Sequence, residues 1–470
     1  MSLGRRRRCS YRRGLTPLPL RIRVNPRCHV DATAWTAISH IAAVDGSRAI
    51  SPIAFSNVPG HRTKQTGVVM NELAVKGGRP VRTASMLNWP AFDEEEIAAA
   101  VDVLRSGSVN YWGGVHGRSF EGEFARAVGT SYAVALSSGT AALECALRAI
   151  DVGPGDEVII PAATSMGTAG AVVSCGARPV IADVDVHSQC LTAETVARVI
   201  TGRTRAIIAV HFAGHTAEIT PLLTLAEEHG LRLVEDCSQA HGARYFGQSV
   251  GSLGDIAAWS FCQDRILTTG GEGGAITTSD LKLWRRCWEM KDHGKSVVAI
   301  QNRQQADGFR WLHDSFGTNA RMTEIQAAIG RVQLRKLDSW VKQRRANANA
   351  LLTALRRQPA IRVEDPPAHV GHAYYKFYAH VRPEHLTGQW NRDRLIAAIK
   401  AEGIPCRHGD YTEIYRERAF DSIVGTPAAL PAAAELGRTS LTLPVHPNLS
   451  ESDLSDIVAG VTKVLMEATK

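Results

Sequence analysis

The chain has 470 residues, enough for two or three domains, and its 44% hydrophobic and 21% charged content is ordinary for a globular protein with a large core. No stretch approaches the ~20 consecutive apolar residues of a membrane span, so no membrane partner is expected. The net charge of +8 is localised: residues 1–69 hold eleven Arg and one Lys against Asp31 and Asp45, a balance of +10 that leaves −2 for the rest and removes the case for a basic, nucleic-acid-binding body.

Residues 1–69 open with Arg5–Arg8, add Arg12 and Arg13, and show no sustained periodicity. An organellar transit peptide or a basic nucleic-acid arm fits such a leader. The preferred reading is a disordered stretch translated ahead of a start at Met70. From Asp93 a regular pattern begins. Asp93 and Glu96 have capping-box spacing, Ile97, Val101 and Leu104 share a helical face, and Gly107 stops the helix. Tyr132–Leu136 reads as a strand, followed by Ser137-Ser-Gly-Thr140 and a helix carrying Leu143, Leu147 and Ile150. Further strands follow at 158–160, 179–182, 206–210 and 231–236, with a helix around Leu222–His229. Short apolar strands alternating with helices predict βαβ units and a mostly parallel sheet covered on both faces. A long helix from Met322 to about Val341 links a large domain, 70–335, to a smaller one, 336–470. The latter reads as α+β: a strand at 374–381, a helix at 392–402, and a last helix from Ser450 with Leu454, Ile457, Val461 and Leu465.

The nine cysteines are odd in number and form no C-x-x-C pair and no His/Cys cluster at ligand spacing. That argues for reduced thiols in a cytoplasm, against a disulfide framework, and against a metal site. Four segments carry chemistry. Ser137–Thr140 lies at a strand-to-helix turn, where backbone N–H groups suit a phosphate. Asp236 ends a strand at the edge where open α/β sheets place ligands; it suits a protonated pyridine nitrogen or, equally, an N-cap. Ala258-Trp-Ser-Phe261 is followed by Arg265 and the glycine-rich Thr268–Gly274, with Ser260 placed for a phosphate. That glycine run does not match G-x-G-x-x-G, which disfavours a dinucleotide site. The fourth segment, Phe316–Ile325, puts polar residues ahead of the long helix.

The order S-G-T-A-A-L, E-D-x-x-Q-A-H-G-A, W-S-F…T-T-G-G-E-G-G and N-x-R-M-T-E-I-Q-A-A resembles the StrS/DegT-type sugar aminotransferases. The likeness runs from Met70 to Lys470 and includes Asn110–Gly113 and Leu443–His446. It implies a fold-type I pyridoxal 5′-phosphate (PLP)-dependent transferase: α/β, with a large domain on a mostly parallel, seven-stranded-type sheet and a smaller C-terminal α+β domain. It further implies a homodimer with shared active sites and amino transfer from glutamate or glutamine to a keto-sugar nucleotide or cyclitol ketone. The products would feed amino sugar, polysaccharide or antibiotic biosynthesis. By position, Gly139, Thr140 and Ser260 hold the phosphate, Asp236 pairs with the ring nitrogen, Gln239 lies against the ring, and Asn319 reaches the neighbouring subunit's cofactor.

The family pattern places its Schiff-base lysine where this chain has Arg265, the residue standing at the catalytic position. A lysine amine can lose its proton and act as nucleophile and base; arginine, with a pKa above ~12, can do neither. The expectations are therefore an aminotransferase with impaired turnover that holds PLP, or its pyridoxamine form, non-covalently. Alternatives are a dehydratase-like enzyme or a non-catalytic partner subunit. Ser165 stands where the family tends to place a ring-covering aromatic. Lys291 and Lys295 are expected to be solvated or to touch phosphate, and Trp112, His211, Arg407, His408 and Tyr411 are candidates for the substrate pocket.

Overall fold

A computed structural model describes residues 72–301, 311–421 and 430–469, which belong to one compact unit. The basic leader and the Met70 start lie outside the described residues. Seven strands form the main sheet in the order Tyr132–Leu136, Gly274–Thr278, Ile256–Ser260, Arg232–Asp236, Thr204–Val210, Glu157–Pro161, Arg178–Ala182. Gly274–Thr278 runs antiparallel to both neighbours, and all other pairings are parallel.

Both faces of this sheet are buried, which explains the unbroken apolar runs. Alternate residues serve opposite cores. Val158, Ile160, Ile208 and Val234 pack with Leu143 and Leu147 of helix Gly139–Ala149. Ile159, Ile207 and Leu233 pack instead with Phe212 and Leu222. Each such fully buried side chain stabilises the fold by about 1.5–3 kcal/mol.

The capping box of Asp93 and Glu96 forms as expected, and the helix spans Glu94–Ser106 with Gly107 at its C-cap. Its expected apolar face does not pack on this chain: Ile97 and Leu104 are exposed, whereas Glu96 and Val103 are buried. Lys336 draws that edge inward by pairing with Glu96 at 2.8 Å and with Asp93 at 2.8 Å.

The long helix runs Glu324–Leu355, well past Val341 and across the 335/336 boundary read from sequence. Thr323 and Gln326 cap its start. Its second half contributes Ala348, Leu351, Leu352 and Leu355 to a separate core around an antiparallel four-stranded sheet, Ile361–Arg362, Phe377–Val381, Ser440–Leu443 and Arg407–His408. Helices Arg392–Ala401 and Glu451–Ala468 complete that core.

Candidate active site

The carboxyl ends of the parallel strands converge on one edge of the sheet. Ser138 caps helix Gly139–Ala149 by accepting from Ala141 N–H at 3.2 Å. That leaves the N–H groups of Gly139 and Thr140 at the helix start for an anion, favoured there by the helix dipole. Ser260 crowds this turn so closely that a Cβ on Gly139 would lie 2.4 Å from the Ser260 Cβ. A Cβ on Gly274 would lie 2.2 Å from the Ser138 carbonyl oxygen. The glycines therefore let three backbone segments meet around one small cradle.

Asp236 is buried at the end of its strand and is not a helix N-cap; a turn follows it, and its Oδ1 accepts from Ser238 N–H at 3.1 Å. Its Oδ2 accepts from Thr168 Oγ1 at 3.1 Å, and Thr164 Oγ1 lies 2.8 Å from that same hydroxyl. Gln239 is buried, and its Oε1 is fixed by Ala213 N–H at 2.7 Å. Thr168 and Thr164 carried no sequence signal. The i, i+4 spacing across the start of helix Met166–Ser174 is the only trace of the pair.

The neighbouring carboxylate does a different job. Glu235 is fully buried on the opposite face and accepts from Gly251, Leu253 and Gly254 N–H at 2.8–2.9 Å and from His211 Nε2 at 3.0 Å. Burial raises its pKa most strongly, yet the donors together, His211 first, hold it below the ordinary carboxylate value. His211 was a pocket candidate; it is instead buried in this network. Its Nδ1 accepts from Ala217 N–H at 3.1 Å, so Nε2 carries the proton it gives to Glu235. His211, Glu235 and Cys237 lie close enough to suggest a metal site, but that tautomer leaves neither imidazole nitrogen a free lone pair.

Arg265 lies in the loop after Ser260 and turns toward Tyr375. Its Nη1 donates to Tyr375 Oη at 2.7 Å, its guanidinium lies 3.4 Å from Asp264 Oδ1, and its carbonyl accepts from Trp89 Nε1 at 2.8 Å. Its Nε is buried without a partner. Burial would lower its pKa, but Tyr375, Asp264, Cys262 and Asp236 outweigh burial and raise it above the usual arginine value. The guanidinium stays charged. Tyr375 donates in turn to Asp264, and burial keeps its phenol protonated.

The remaining candidates scatter. Lys291 is neither solvated nor a phosphate ligand: it is fully buried against Glu121 with its Nζ 4.0 Å from the Tyr111 ring. Lys295 and Trp112 both serve Asp292, at 3.3 and 2.6 Å. Tyr411 is exposed, and its carbonyl accepts from Thr164 N–H at the sheet edge. His408 is exposed, and Arg407 lines a cavity between the main sheet and the second core. Asn319 is exposed, on a segment whose Ala320 carbonyl accepts from Ser137 N–H at 2.8 Å.

A seven-stranded sheet with one antiparallel strand, a glycine-lined turn at its carboxyl edge and a buried carboxylate beside it are the features of a fold-type I PLP-dependent transferase. The DegT/DnrJ/EryC1/StrS aminotransferase family matches residues 90–462, and the chain belongs to it. It is 36% identical to the L-glutamine:2-deoxy-scyllo-inosose aminotransferase of Micromonospora echinospora, over 84% of this chain and 98% of that enzyme. It is 35% identical to the dTDP-3-amino-3,4,6-trideoxy-alpha-D-glucose transaminase of Streptomyces venezuelae, over 78% and 91%. The X-ray structure of the aminotransferase from Psychrobacter cryohalolentis superposes with a TM-score of 0.80 at 45% identity, covering 82% of this chain and 100% of that one. The family uses PLP, and the cradle and Asp236 fit its phosphate and ring nitrogen. Among the described residues no helix is long and apolar enough to cross a membrane.

Proposed function

We propose that this chain moves an amino group from glutamine or glutamate to a keto-sugar nucleotide or cyclitol ketone, with its coenzyme held non-covalently. The convergence of Gly139, Ser260 and Asp236 on one sheet edge carries the reading. The activities of the relatives support both substrate classes.

PLP supplies an electron sink when bound; everything else is this chain's work. Gly139 and Thr140 N–H groups and Ser260 Oγ hold the phosphate. Asp236, oriented by its hydrogen bonds from Thr168 and Ser238, would pair with the ring nitrogen, and Gln239 would lie against the ring. Arg265 holds a fixed positive charge and cannot release a proton to shuttle it, so slow turnover is expected. Asn319 completes the site of a second copy. Its exposure, beside the fully exposed Phe316 and with the exposed Ile97 and Leu104 unpacked, supports a homodimer. The seven described cysteines are all unpaired, which supports a cytoplasmic setting.

The test is coenzyme titration followed by borohydride reduction. Saturable uptake without covalently retained pyridoxyl is the expected result. Absence of uptake sinks the reading, and retained pyridoxyl removes its non-covalent part.

A further inference from the structure

The cavity that Arg407 lines has a volume of about 480 Å³, within the range of small-molecule sites. It opens beside the candidate catalytic position, because Asp264 and Tyr375, the two partners of Arg265, form part of its wall. Trp89, Arg344 and His446 form the rest of the wall that matters here.

Arg344 projects from the long helix Glu324–Leu355 and is 1% exposed. Its Nη1 donates to the carbonyls of Tyr374 and Tyr375, both at 3.2 Å, and its guanidinium sits 4.9 Å from the centre of the Trp89 ring. Its Nε has no partner, and among the described residues no carboxylate pairs with it. A buried cation satisfied only by carbonyls and a ring face is costly unless an anion joins it. Burial pushes its pKa down to about 9, so it is still charged at neutral pH. His446, stacked 6.4 Å from Trp89, also keeps an unpartnered Nδ1 in this wall. The exposed Arg407 adds positive charge.

We infer that this cavity is an oxyanion site in which Arg344 receives a carboxylate or phosphate group of a small-molecule substrate. A guanidinium fork matches both groups. The inference deepens the proposed amino transfer, since it assigns one substrate's charged end to a place beside Arg265. Two sources share the chemistry: the carboxylate of the amino donor and the diphosphate of a sugar nucleotide.

The experiment is calorimetric titration of the full chain with L-glutamate in one arm and uridine diphosphate in the other. Excess pyridoxamine 5′-phosphate is present throughout to fill the coenzyme cradle. Saturable uptake of one anion is expected, and which arm responds identifies the source. Arg344→Gln should weaken that uptake at least tenfold. Because Arg344 is buried, a second variant, Asn88→Trp at the exposed rim of the cavity, should weaken it as well with an unchanged melting point. Uptake of neither anion, or undiminished uptake by both variants, overturns the inference. So does uptake seen only in a control titration without pyridoxamine 5′-phosphate, which places the anion in the cradle instead. Failure of coenzyme uptake alone refutes the proposed amino transfer and leaves this measurement intact.

Discussion

The cradle at the sheet edge and the wall of side chains around Arg265 are built on different principles. The cradle is made of backbone N–H groups, glycines and small hydroxyls, held by strand ends that cannot move without breaking the sheet. The wall depends on single long side chains: Arg265 is held by Tyr375 and Asp264, with one guanidinium nitrogen left unpartnered. On the proposed reading, arginine at position 265 leaves the cradle intact and withholds a proton-transfer group, so binding and turnover are expected to be separable.

The sharpest way to break that contrast is Arg265→Lys. General acid–base catalysis by a positioned group contributes about 10²–10⁴-fold. The variant should gain a rate increase of that order in amino transfer from L-glutamine to a ketone, with coenzyme affinity also raised by covalent attachment. An unchanged rate in a folded variant means that the wall never carried the chemistry.

Glu235→Gln and Asp236→Asn test the same contrast within two adjacent residues. Glu235 is saturated by four donors, so an amide there turns an acceptor into a donor aimed at backbone N–H groups. The expected loss is about 3 kcal/mol of stability, read from denaturant unfolding, with coenzyme affinity per folded molecule unchanged. Asp236 keeps room for a ligand. Asp236→Asn should weaken coenzyme binding about ten- to a hundredfold, the worth of a hydrogen bond to a charged group, with little change in melting temperature.

How much of this was legible follows from where side-chain chemistry agrees with position. The strands ending in Leu136, Val210 and Asp236 were plain because both sheet faces are apolar and their runs are unbroken. The antiparallel strand Gly274–Thr278 was not: it begins inside the glycine-rich run Thr268–Gly274, whose last glycine is required beside Ser138. The long helix seemed to end near Val341 because Arg344 and Asn347 interrupt the apolar period. Both are buried on the packed face, Asn347 donating to the Val445 and His446 carbonyls. His211 and Lys291 misled for the converse reason: polar residues at strand and helix ends suggest ligands, yet His211 satisfies a buried carboxylate and Lys291 a half-buried one. The N-cap reading of Asp236 falls because no helix follows it.

Two buried histidines, one behind the cradle strand and one in the second lobe, contribute to the acid response. Burial pushes His241 and His380 down to about 3, from 6.5 when unfolded. The unfolded chain thus binds protons first, so the stability these residues contribute is complete above pH 6.5 and declines as pH falls toward 3. Melting temperature should drop by several degrees between about pH 7 and pH 5, before carboxylates titrate. A flat profile over that interval would show that these rings are hydrated.

The smallest effect probes how Asp236 is kept ready. Its Oδ2 takes the Thr168 proton, so Thr168 Oγ1 can only accept from Thr164, and the two hydroxyls form a directed chain ending on the carboxylate. Removing the near link, Thr168→Val, takes one donor from an ionised group in a water-poor site and should cost about 1.5 kcal/mol, or roughly tenfold in coenzyme affinity. Removing the far link, Thr164→Val, leaves that donor in place and only weakens its polarisation, so a loss below about threefold is expected. Fluorescence titration with pyridoxamine 5′-phosphate resolves the two. Equal losses would mean that the hydroxyls act through packing, since a valine fills either position with the same shape, whereas a graded pair requires the proton order that Asp236 imposes.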